Sequence, residues 1–179
     1  MSVSQDIAAT WRRPRAVFRR LLAMGQREDR ALAILLGACA LIFVSQLPRL
    51  QREHALAGFE RAALDQKASD KVLSFGAEMG ITFFVWLLVW PLLFYGIGTL
   101  THLIAKLFRG RGTTYTARLA LFWALLASTP AWLFYGLVEG FIGPGPGQQL
   151  AGIIVLGSFF LFWSVCLREA ETNPDGAAR

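Results

Sequence analysis

Charged residues are nearly absent from four stretches of the chain, 31–47, 80–105, 119–138 and 150–167, and crowd the segments between them. The shortest of these runs rises about 26 Å as a helix, against about 30 Å for the hydrocarbon core of a bilayer. Backbone polar groups in lipid must be satisfied within the segment, so each run is expected to be helical. The pattern predicts an all-α integral membrane bundle of four transmembrane helices, or five if segment 48–79 hides another. Pro48 is expected to end the first span, since proline lacks the N–H and disfavours helix at the residue before it. Pro91 frees the carbonyl of Leu87 and Pro130 that of Leu126, which predicts helix kinks at both prolines; Ser128 and Thr129 stand close enough to re-satisfy the second. The stretch after Pro48 is rich in helix formers and predicts a short interfacial helix, then an outward extension of the second span.

Ahead of the first span lies "PRAVFRRLLAMG". Proline suits a first helical turn, Gly25 suits the end, and Val17, Phe18, Leu21 and Leu22 share one face bordered by arginines. This predicts an amphipathic helix lying in the interface on an anionic leaflet. The chain divides into a basic N-terminal segment with that helix (1–30), the bundle (31–167) and a polar tail (168–179). Residues 1–30 hold no apolar core of a cleavable signal, so the first span is expected to act as an uncleaved anchor.

Composition sharpens the picture. Of 179 residues, 55% are hydrophobic and 17% charged, below the roughly 25% charged of a soluble domain. The net charge is +6. In a membrane protein this bears on topology and anionic lipid more than on nucleic acid, which is not expected as a partner. Lys and Arg number seven before the first span, five in the first loop, four in the second, none in the third and two in the tail. Placing both ends and the second loop inside puts thirteen of them in the cytoplasm and five outside, the arrangement favoured by the positive-inside rule. The expectation is a multi-pass protein of the cell inner membrane with cytoplasmic N- and C-termini. The basic loop "KLFRGRGTTYTAR" then becomes a cytoplasmic hairpin. Arg12, Arg13, Arg15, Arg19, Arg20, Lys106, Arg109, Arg111 and Arg118 are the candidates for contact with anionic lipid or a partner.

Chemistry is sparse by comparison. Cys39 and Cys166 lie in apolar runs and read as small buried hydrophobes; His54 and His102 have no ligand-like spacing. Glu78, His102, Arg118 and Glu139 fall near span ends, leaving the span centres without charge. No nucleophile–base pair, metal set or cofactor site is expected, and the chain is not expected to be an enzyme. Packing is better marked. Ala117, Ala120, Ala124, Ala127 and Ala131, with Ser128, form a small-residue seam, and Gly76/Gly80 and Ala33/Gly37 are further small pairs. Such faces suit close helix contact, within the bundle or with a protein partner or second copy.

The order of features resembles the Yip family (Ypt-interacting membrane proteins), in its bacterial branch. "WRRPRAVFRRLLAMG" is similar to the family's proline-then-amphipathic-helix opening, with Pro14, Phe18 and Leu21 in matching places. "LIAKLFRGRGTTYTARLALFWALLASTPAWLF" resembles its glycine-rich basic loop, aromatic and proline-bearing span, through Gly110, Gly112, Tyr115 and Pro130. The resemblance implies a helical membrane bundle, commonly of five spans, and transfers no catalytic residue. The acidic Tyr-Gly-Pro motif of eukaryotic members, which recruit small GTPases, is absent. The expected function is a non-enzymatic membrane organising or assembly factor, or an accessory subunit. A transporter component would need a polar cavity lined by Tyr95, Thr99, Ser128 and Tyr135. A lipid-modifying enzyme would need a nucleophile or metal near Arg109, Arg111 and Arg118.

Overall fold

The computed structural model describes residues 3–63, 74–107 and 112–172. Their regular structure is entirely helical: α1 (Val3–Thr10), α2 (Pro14–Ala23), α3 (Glu28–Ala63), α4 (Phe75–Phe84), α5 (Trp90–Leu107), α6 (Thr114–Ala127), α7 (Thr129–Phe141) and α8 (Pro146–Thr172). A π turn, Val85–Val89, joins α4 to α5. Three stretches are long and apolar enough to cross a membrane: Glu28–Phe59, Phe75–Leu107 and Pro146–Thr172. The pair α6–α7, bent by 42°, makes a fourth if it is one span.

Local chemistry accounts for most boundaries. Pro14 opens α2, and Gly25, at φ +81°, closes the chain after it with its N–H on the Leu22 carbonyl. Thr113 and Thr116 exchange side-chain and backbone hydrogen bonds in a capping box that starts α6. The irregularity expected at Pro91 falls just before it, where the Trp90 N–H reaches back to the Val85 carbonyl. At Pro130 the chain bends. The Thr129 hydroxyl donates to the orphaned Leu126 carbonyl at 2.7 Å, and the Ser128 hydroxyl donates to Leu125 at 2.8 Å.

Helix α6 forms the centre. Every residue from Tyr115 to Ala127 except Arg118 is buried, as a helix apolar on all sides must be. It packs on α3, α5 and α8, and beyond the bend α7 touches both α3 and α8. All five seam alanines are buried. The outer faces are strongly apolar, as at Leu92 (75% exposed) and Leu103 (64% exposed) of α5. A girdle of this kind suits lipid rather than water.

One expectation needs correction. Pro48 does not end the first span, because α3 continues through it to Ala63. At this point α3 packs on α7, where Gly136 and Gly140 let the α3 backbone approach at Ser45 and Pro48. A β-carbon at Gly136 would stand 1.9 Å from the Ser45 carbonyl oxygen, and one at Gly140 2.3 Å from Pro48 Cβ. The proline is therefore seated in a notch of the neighbouring helix. Within the bundle the small pairs Gly76/Gly80 and Ala33/Gly37 make no close crossing: the three glycines have open space where a β-carbon would stand, and Ala33 is exposed.

Candidate functional site

The start of α3, the start of α6 and the end of α8 meet at one end of the bundle. There Arg118 pairs with Glu28, and its guanidinium lies 5.3 Å from the Tyr95 ring centre. Gly98 of α5 makes this route possible, since a β-carbon there would stand 2.7 Å from Arg118 Cγ. Arg30 donates to the Gly25 carbonyl at 2.6 Å and to the Tyr115 hydroxyl, which itself donates to the Arg27 carbonyl. The Gly112 N–H donates to Glu171 at 2.8 Å, tying the start of α6 to the end of α8.

The N-terminal residues form a helical hairpin keyed into this end. α1 packs on α2, with Arg20 paired to Asp6. The amphipathic face of α2 does form, but protein covers it: Val17, Phe18, Leu21 and Leu22 are buried in the same core as α3 and α6. This corrects the expectation that the face rests on lipid. Arg19 of α2 reaches Glu169 of α8, whose residue is 5% exposed, and the carboxylate raises the Arg19 pKa above its ordinary value by hydrogen bond and charge.

At the hairpin tip, Trp11 inserts toward the bend. Its indole N–H donates to the Ala127 carbonyl at 3.0 Å, and its ring meets Phe162 edge-on at 5.2 Å. Next to it, the Trp123 N–H donates to the Thr10 hydroxyl at 3.2 Å. The two tryptophan hydrogen bonds and the Arg19–Glu169 ion pair thus hold the hairpin to α6 and α8.

Between the hairpin and the outer half of the bundle lies a groove of about 1400 Å³. Leu41 of α3, Leu133 and Phe134 of α7 and Ile154 of α8 form its apolar walls; Arg12 and Arg13 stand at the hairpin tip. Both arginines are exposed and have no ion pair among the described residues.

The expected contact residues therefore separate. Arg19, Arg20 and Arg118 are committed to internal carboxylates. Arg12 and Arg13 line the groove, and Arg13, Arg15 and Arg19 border a smaller depression beside Val165. Lys106 lies in the last turn of α5, while Arg109 and Arg111 fall outside the described residues. At the opposite end, Glu139 accepts from Gln148 at 2.9 Å and lies 3.7 Å from Arg49.

Tyr95, Thr99, Ser128 and Tyr135 do not line one cavity. Tyr95 and Thr99 border a shallow depression on α5 alone, Ser128 is spent on Leu125, and Tyr135 accepts from Gln148. His102 borders that same depression. Thr10, Trp11, Glu169, Gly136 and Gly140 were not singled out from sequence as functional. Only the Gly-x-x-x-Gly spacing of the last two was a visible signal.

Neither the family models, the curated proteins nor the solved structures with which the chain was compared match it.

Proposed function

We propose that this is a multi-pass membrane protein of Yip type that works without catalysis, organising or assembling partners at its basic end. The supporting observation is the docked hairpin. Residues 3–23 are not a loose tail but are locked to α6 and α8, and they gather Arg12, Arg13 and Arg15 on one exposed surface. Lys106, Arg27 and Arg30 belong to the same end of the bundle, which the positive-inside rule assigns to the cytoplasm. In a bacterium the membrane would be the inner one, with both termini cytoplasmic. The Yip likeness rests on the order of the amphipathic helix, the basic glycine-bearing junction and the bent span.

The test is a photo-crosslinking residue placed at Lys106 in native membranes, followed by identification of the adducts. A specific protein adduct, absent when the crosslinker sits at Leu92 on the opposite stretch of the same helix, is the expected result. Adducts to lipid alone, together with a monomeric purified protein, would overturn the reading. A reporter inserted at Gly145 should be active only on the far side of the membrane.

A further inference from the structure

The groove at the hairpin tip combines two features that a soluble anion or a simple greasy contact would not need together. Its long walls, Leu41, Leu133, Phe134 and Ile154, are apolar, and Phe134 and Ile154 are 52% and 50% exposed. Its inner end carries Arg12 and Arg13, both without a carboxylate partner among the described residues. Leu41 sits about 16 Å along α3 from Arg30, and Ile154 about 22 Å along α8 from Glu169. The apolar walls of the groove therefore reach into the apolar spans, while Arg12 and Arg13 stand exposed at the hairpin tip with their guanidinium groups open to an anion. Arginine also matches phosphate oxygens through paired N–H donors.

The geometry points to an anionic phospholipid as the occupant, its phosphate on Arg12 and Arg13 and an acyl chain along Leu133, Phe134 and Ile154. This site deepens the proposed reading, since the lipid would complete the docked hairpin, but it stands on its own measurement. The hairpin enters the groove from the basic end, so the lipid would be drawn from that leaflet with its headgroup pulled inward.

The test uses the full chain in nanodiscs of phosphatidylcholine doped with phosphatidylglycerol, with retained lipid read by native mass spectrometry after release. Wild type should retain phosphatidylglycerol in preference to phosphatidylcholine. Glycerol phosphate and inorganic phosphate, which lack chains, should not displace it. The double variant Arg12→Gln, Arg13→Gln should lose about tenfold or more of that preference, as expected for charge-assisted hydrogen bonds, whereas Arg168→Gln, an exposed cation at the end of α8, should keep it. Ile154→Trp, which fills the chain path without altering charge, should also lower retention and covers the case in which the arginine variant does not fold. Equal retention of the two lipids, displacement by the chainless phosphates, or wild-type retention in a folded arginine or Ile154 variant would overturn the inference. So would a protein adduct in place of lipid from a crosslinker at Phe134. None of these outcomes bears on what Lys106 contacts.

Discussion

The crossing of α3 and α7 offers the sharpest test of how the bundle is held. In Gly136→Ala the new methyl would stand 1.9 Å from the Ser45 carbonyl oxygen and 2.7 Å from its carbon, where real β-carbons keep at least 3.0 Å. Both contacts are backbone, so no side chain can swing aside, and the helices must part by about 1.1 Å, the shortfall from that limit. A gap of 0.5–1 Å forfeits about a quarter to a half of each dispersion contact along the seam. Forced separation of a packed pair costs about 1–3 kcal/mol. Alanine also favours helix over glycine by about 1 kcal/mol, which would blur a single measurement. Gly37→Ala and Gly157→Ala share that gain, with open space where the methyl would go. The expected outcome is that Gly136→Ala unfolds about 1–3 kcal/mol below these two, by tryptophan fluorescence in mixed micelles of mild detergent and dodecyl sulfate. Gly140→Ala should behave similarly against Pro48, and the double variant should cost less than the sum, because one separation relieves both clashes. Equal stability of Gly136→Ala and Gly37→Ala would refute the close crossing.

Three further outcomes follow from the same contacts. Trp11→Phe keeps the ring against Phe162 but loses the N–H to Ala127; a loss of about 1 kcal/mol should speed trypsin cleavage at Arg12 and Arg15 several-fold while the bundle stays intact. Thr129→Val removes the hydroxyl on the Leu126 carbonyl and should lower thermal stability by about 1 kcal/mol, whereas Thr99→Val, on an exposed turn of α5, should not. Cys39 and Cys166 are both buried, so native protein in mild detergent should resist maleimide labelling and react at both sites once denatured.

What could be read from the chain was governed by how local the cause is. The bend at Pro130 and its repair by Thr129 involve residues within four positions, and both were legible. Pro48 was misjudged because whether a helix ends or continues at a proline is not fixed locally, and its packing neighbours here, Gly136 and Gly140, stand about ninety positions later. That glycine pair stood in plain view, but other small pairs had equal claim, and only a partner's position separates them. The amphipathic face of α2 was likewise legible, while its destination was not. A stripe of Val17, Phe18, Leu21 and Leu22 fits a lipid surface and a protein cleft equally well. Arg118 read as a contact candidate because nothing near it announces Gly98, the gap through which it reaches Tyr95 and Glu28.

The bend and the hairpin are best understood as one device. Proline at 130 leaves the Leu126 carbonyl without a helical donor, and the Ala131 N–H turns to Ser128 instead of Ala127. Two carbonyls are thereby released deep in the bundle. Thr129 takes the first from within the chain's own turn, and Trp11 takes the second from the hairpin. Docking the hairpin buries four large apolar side chains, each contributing up to about 1.5–3 kcal/mol if water is the alternative. Arg12 and Arg13 stand at the tip of the same hairpin, so an anion bound on them favours the docked state, and the anion in the groove and the docked hairpin should rise and fall together.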